Sequence, residues 1–179
     1  MRIVEFSAID TGLLDKVRAL RASVWNAQTE LKLFPDDGCH DSHDAHALHW
    51  AIVDQQDQLI ASARLCVHTK CSDFPDSEDL VHLIHSLSVT SPIGMMNRLA
   101  VHPAHQGQGL ARKLDIVRLN KAIEVGCHSI MLEVPSYRRH AIEALDFELI
   151  GKAIDTSPIQ ASETEFFLYT KNLLNQPSC

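Results

Sequence analysis

Residues 94–134 restrict the fold more than any other part of the chain. A strand-forming run, GMMNRLAVH, is closed by Pro103; AHQGQGLARKL then opens a helical pattern that lasts to Gly126; a second strand-forming run, HSIMLEV, is closed by Pro135. Two strands joined by a helix cannot form a hairpin, so the crossover pairs them in parallel. Gly107 and Gly109 stand at the turn from strand into helix. Glycine in an ordered element costs roughly 1 kcal/mol relative to alanine. A left-handed turn, or a group that must approach the backbone, offsets that cost. The first amides of a helix have no intrahelical acceptor, and the helix dipole adds positive potential there. The turn is therefore a natural phosphate site. Its spacing lacks both the Lys-Ser/Thr ending of a P-loop and the third glycine of a dinucleotide fingerprint. Taken alone, the glycines leave a tight turn without ligand equally open.

The rest of the chain alternates between element types. RIVEF (2–6) reads as a strand, and LLDKVRALRASVW (13–25) places Leu13, Leu14, Val17, Leu20, Val24 and Trp25 at helical spacing. HALHWAIVD (46–54) is apolar on both faces, as a central strand is, and QQDQ turns it into a hairpin partner, LIASARLCVH (59–68). A short helix is expected within VHLIHSL (81–87), a longer one over 109–125 ended by Gly126, and another short one over about 136–145. FELIGKA and EFFLYTKNL supply the last strands. This order predicts one α/β domain over residues 1–179, a mixed sheet with antiparallel hairpins flanked by helices.

The formal charge of −7 disfavours nucleic acid or an anionic membrane as a partner. No apolar run reaches the 18 or so residues of a membrane span. Acidic residues in MRIVEFSAIDTG fall where a signal peptide carries its apolar core. Five cysteines without a CxxC pair read as free thiols in a reducing compartment, and a cytoplasmic protein is expected. Two acidic runs, Asp36, Asp37, Asp41, Asp44 and Asp73, Asp76, Glu78, Asp79, read as solvated loops, or as surfaces for a cationic ligand. Cys39, His40, His43, His46 and His49 meet no established zinc spacing; they are taken as a polar loop, with no metal expected.

RLAVHPAHQGQGLARKL resembles the acetyl-coenzyme A signature of the GNAT superfamily of N-acetyltransferases. That signature is a strand ending in V-x-P, then Q/R-x-x-G-x-G/A opening a helix; Gln106, Gly109 and Ala111 fill its defined positions. The resemblance extends over about residues 46–173, and ALDFELIG resembles the closing LGF-type segment. It implies acetyl-CoA as co-substrate and a GNAT acyl-CoA N-acyltransferase fold. Amides of Gln106, Gly107, Gln108, Gly109, Leu110 and Ala111 would hold the pyrophosphate. Leu99, Ala100 and Val101 would pair with the pantetheine arm and aim an N–H at the thioester carbonyl. Arg112, with Lys113 and Lys121, would meet the phosphates or form a solvated face. The acceptor implied is the amine of a small, amino-acid-like molecule, with direct transfer in a ternary complex; a homodimer is left open.

The catalytic side chains are less plain. Many relatives carry a tyrosine acid in an FYxxLGF-like segment, but AIEALDF (141–147) has none. Tyr137 is the substitute acid, and Glu133 in the LEV strand the candidate base. Arg64 and Arg98 lie within expected strands, where an unpaired guanidinium is costly. Each pairs with a structural carboxylate or grips the acceptor's carboxylate. Cys127 reads as a buried thiol. RASVW (21–25), DDGCHDSHD (36–44) and SARL (62–65) are also similar to the front half of acyl-homoserine-lactone and N-acyl amino acid synthases. Arg21, Trp25, Asp41, Asp44 and Arg64 are the matching positions, and Met95 stands where those enzymes carry a glutamate. That similarity implies longer acyl donors, from CoA or an acyl carrier protein; the missing tyrosine also allows a CoA-binding sensor without catalysis.

Overall fold

The computed structural model describes residues 1–27, 34–35, 38–74, 77–84, 87, 89–154 and 164–174. Its strands are β1 (Arg2–Phe6), β2 (Leu48–Val53), β3 (Leu59–His68), β4 (Ile93–Val101), β5 (Ser129–Pro135), β6 (Glu148–Lys152) and β7 (Phe166–Asn172). Its helices are α1 (Thr11–Asn26), α2 (Ser77–Ile84), α3 (Leu110–Glu124) and α4 (Arg139–Glu143). The sheet is mixed, with strand order β1-β2-β3-β4-β5-β7-β6. Two compact units share β4: residues 1–66 with 97–118, and residues 67–96 with the chain from Leu119 onward. The expected α/β class holds.

In the first unit, β1 and β2 pair antiparallel from Arg2↔Val53 to Phe6↔His49, and β2 pairs antiparallel with β3. Helix α1 starts two residues earlier than the apolar periodicity suggests because Asp10 caps it, its carboxylate accepting the Leu13 N–H at 3.0 Å. Leu14 and Val17 pack with Phe6 and Ala51, while Leu20 and Val24 pack with Ala100 of β4. The chain then presses onto α1 at Gly38. A Cβ there would lie 2.8 Å from the Arg18 backbone, and φ is +117°, so glycine is required. The Cys39 N–H donates to the Arg18 carbonyl at 3.1 Å. This contact carries residues 39–46 across the helix. His46, expected on a strand, instead lies in the 3₁₀ turn Ser42–His46, because Asp41 caps that turn by accepting the His43 N–H at 3.0 Å.

In the second unit, β4 and β5 pair in parallel from Ile93↔Ser129 to Met96↔Leu132, as the crossover requires. Strand β7 is antiparallel to β5 and to β6. The helix expected over 136–145 is a 3₁₀ turn, Ser136–Arg138, followed by five residues of α4. Helix α4 ends at Glu143, and the turn that follows contains Asp146 in the left-handed region, with φ +57°. The short helix of VHLIHSL starts earlier than expected, at Ser77. Asp36, Asp37, Asp76 and Cys179 lie outside the described residues.

Candidate active site

The turn that closes β4 is built by local rules. His102 donates its N–H to the Ile60 carbonyl of β3 at 2.9 Å, and Pro103–His105 form a 3₁₀ turn. Gly107 and Gly109 both have φ +74°, and a Cβ on either would meet nothing within 4 Å. The left-handed backbone, not crowding, demands glycine there, and the space in front of it is open. Leu110 is buried and anchors the first turn of α3, where the Lys113 N–H closes onto the Gly109 carbonyl at 3.1 Å. Gln106 reaches back, donating from Nε2 to the Val101 carbonyl at 3.2 Å. The structure thus brings Gln106–Arg112 into one turn, fed directly by Leu99, Ala100 and Val101. Gln108 and Arg112 are exposed.

Gly109→Ala is expected to keep the fold at a cost of about 1–2 kcal/mol for a left-handed alanine. If this turn holds the phosphates of an acyl-CoA, as the resemblance implies, the same change is expected to weaken acyl-CoA binding about tenfold or more by disturbing its amides. Calorimetric titration with thermal melts checks both effects. Unchanged affinity in the folded variant contradicts the assignment.

The first unit also holds a cluster of arginines and aspartates. Asp44 is fully buried. It accepts from Arg21 Nη1 at 2.9 and 3.1 Å, from Arg64 Nη1 at 2.8 Å and from Arg18 Nε at 3.3 Å. Asp41 accepts from Arg64 Nη1 at 2.5 Å and from Arg98 Nε at 2.9 Å. Arg64 Nε donates to Asn97 Oδ1 at 2.8 Å, and the Arg98 guanidinium lies 5.7 Å over the Trp25 ring. Burial opposes ionisation of both aspartates. The hydrogen-bonded guanidiniums of Arg64 and Arg98 beside Asp41, and of Arg21 and Arg64 beside Asp44, win and hold both below the ordinary carboxylate range. His49 lies beneath, stacked on Phe6 at 5.1 Å; Nε2 meets the Asp44 carbonyl at 3.0 Å and Nδ1 faces Arg21 Nη2 at 3.5 Å. These partners suit a neutral ring with its proton on Nε2, and burial lowers its pKa.

One expectation changes here. Asp41 and Asp44 are not a solvated acidic loop; the Gly38 contact and the capped turn carry them inward onto the arginines. Of the two readings kept for Arg64 and Arg98, both side chains are seen pairing with structural carboxylates. Sequence reasoning passed over Arg118, a buried arginine on α3. Its signal is faint, because α3 carries polar residues on both faces. No group of three or more His, Cys, Asp or Glu side chains among the described residues is placed to hold a metal ion.

A model of the Acetyltransferase (GNAT) family matches residues 14–146, which include the turn, the cluster and the crossover. The chain belongs to the GNAT family. It is an acyltransferase. Curated proteins provide no match to its sequence. Among solved structures it is similar to a CoA-dependent acyl-homoserine lactone synthase, BjaI, solved with SAM and isopentyl-CoA. The TM-score is 0.73 and the identity 16%, over 97% of this chain and 84% of that one. FeeM, an N-acyl amino acid synthase from uncultured soil microbes, gives a TM-score of 0.68 at 11% identity, covering 96% of this chain and 95% of that one. An acyl-CoA N-acyltransferase from Pseudomonas aeruginosa gives 0.65 at 15%, covering 95% and 98%. At these identities the likeness is one of fold.

The remaining site residues of this GNAT chain fall in the second unit. Glu133 is half-buried on β5, opposite Leu168 of β7. Tyr137 is 71% exposed in the 3₁₀ turn that follows. Ile142 is fully buried. Tyr169 of β7, not singled out in the sequence, is buried; its Oη donates to Glu143 Oε1 at 2.7 Å and accepts from Arg139 Nε at 2.9 Å. Burial, more than these partners, raises its pKa. Cys127 is buried and its thiol pushed up by that burial.

Proposed function

We propose that this enzyme transfers the acetyl group of acetyl-CoA to the amine of a small, amino-acid-like acceptor, directly, in a ternary complex. The observation that carries the reading is the pair of left-handed glycines, Gly107 and Gly109, opening α3 onto free space beside the end of β4. The backbone N–H groups of that turn hold the pyrophosphate. The backbone of Leu99–Val101 lies along the pantetheine arm, and an N–H of that strand stabilises the oxyanion as the neutral amine attacks the thioester carbon. Glu133 takes the amine's proton through water, and the coenzyme leaves as its thiolate, with Tyr137 the side chain proposed to protonate it. The amino-acid-like acceptor is proposed from the resemblance alone, since Arg18, Arg21, Arg64 and Arg98 already pair with Asp15, Asp41 and Asp44. Nucleic acid and membrane are not proposed as partners. No helix among the described residues is long and apolar enough to cross a membrane, and a cytoplasmic location is proposed.

A second reading, transfer of longer acyl chains, is favoured by one observation. Of the five positions similar to acyl-homoserine-lactone synthases, Arg21, Asp41, Asp44 and Arg64 form a single network. Release of free thiol from acetyl-CoA and from octanoyl-CoA, at matched concentrations with a panel of amines, separates the two. Acetyl-CoA is expected to be at least as good a donor; a clear preference for octanoyl-CoA overturns the first reading in favour of the second.

A further inference from the structure

We infer that Arg118 is a positioning residue for acyl transfer: its guanidinium holds the interruption of β4 at Asn97–Arg98, which sets the backbone of Leu99–Val101 for the acyl-thioester. Arg98 has φ +52° inside a strand. A non-glycine residue keeps that conformation only where its surroundings over-determine it, and such residues gather at functional sites. The surroundings are visible. Arg118 is buried on α3, and its Nη1 donates to the carbonyl oxygens of Asn97 and Arg64, both at 3.2 Å. One guanidinium nitrogen thus bridges β4 and β3 beside the left-handed residue. Nε is fixed on the Leu114 carbonyl at 3.1 Å and Nη2 on Asp115 at 2.6 Å, so the bridge is itself held rigid. From the side-chain direction, Asn97 is held by Arg64, and Arg98 by Asp41.

The interruption has a consequence for direction. N–H and C=O groups alternate sides along a strand. Since the His102 N–H points at Ile60 of β3, Val101 and Leu99 turn theirs away from β3. On that side Gln106, the signature glutamine, takes the Val101 carbonyl. A buried ion pair is weak evidence for stability, since apolar residues of like volume fill such a space as well or better. Fixing the backbone ahead of Leu99 is what the arginine supplies and an apolar side chain does not.

The inference rests on the proposed use of Leu99–Val101 by acyl-CoA, and the test separates the two. Wild-type enzyme, Arg118→Met and Arg118→Lys are titrated calorimetrically with acetyl-CoA and with 3′-phosphoadenosine 5′-diphosphate, the fragment that the phosphate turn alone holds. Folding is checked by circular dichroism. In Arg118→Met, affinity for acetyl-CoA is expected to fall about tenfold or more, as lost pre-organisation does, while affinity for the fragment stays within about twofold. Arg118→Lys, which keeps one donor and the charge, is expected in between. Both affinities unchanged, both lost in parallel, or neither variant folding would assign Arg118 to the core and overturn the inference. Wild-type enzyme that binds the fragment but gains nothing from the acyl-pantetheine arm would instead overturn the parent reading.

Discussion

Asp44→Ala is expected to lower stability by about 3–5 kcal/mol, the cost of breaking a buried ion pair from one side, or to prevent folding. That loss is a large share of the roughly 5–15 kcal/mol that holds a domain together. The carboxylate is fully buried and receives Arg21, Arg64 and Arg18, while its backbone carbonyl faces His49. Removing it leaves Arg21 buried without its carboxylate and Arg64 with Asp41 alone, away from the water that solvates both in the unfolded chain. Urea unfolding measures the change; a loss under about 1 kcal/mol, the range of exposed pairs, would mean that the cluster is no scaffold. The same groups set the acid response. His49, Asp41 and Asp44 all titrate lower in the folded chain than a free imidazole or carboxylate does. In each case the unfolded chain binds the proton more readily, so stability is full above the unfolded value and lost as pH falls toward the folded one. Thermal midpoints are expected to decline in two steps, one below about pH 6.5 and a steeper one below about pH 4. His49→Phe removes the first step if His49 causes it.

For Glu133→Gln the expected result is a fall in kcat/KM of ~10²–10⁴, the usual contribution of a general base, with the acidic limb of the pH profile changed. Affinity for acetyl-CoA is expected to stay nearly constant, since the proposed cofactor contacts are backbone amides of the first unit. A structural role gives a different pattern: the melting temperature drops, and the pH profile of the folded variant is preserved. Initial rates across pH on the folded variant decide between them. An unchanged profile removes Glu133 from catalysis and leaves Tyr137 or ordered water as proton carriers.

The parts readable in the sequence are the local ones. The strand, proline, glycine turn and helix at residues 94–124 obey rules that act over a few residues, and the crossover fixes parallel pairing of β4 and β5 without further information. The insertion of β7 between β5 and β6 is decided by long-range pairing, for which the sequence carries no local mark. The acidic run at 36–44 misleads for a related reason. Aspartates in a polar loop read as solvated unless the arginines of α1, β3 and β4 are known to meet them. Resemblance picks out Arg21, Asp41, Asp44 and Arg64, but only the structure shows them bonded. Arg118 hides in LARKLDIVRLNKAIE, where buried and exposed polar residues look alike.

Acetyl transfer to an amine can be followed by isotope tracing. The enzyme is incubated with carbon-13-labelled acetyl-CoA and a panel of amines and amino acids, and products are read by mass spectrometry. The label is expected on the nitrogen of one acceptor class, with free coenzyme A formed in equal amount. Label found only in acetate, or left wholly on the coenzyme across the panel, would contradict it.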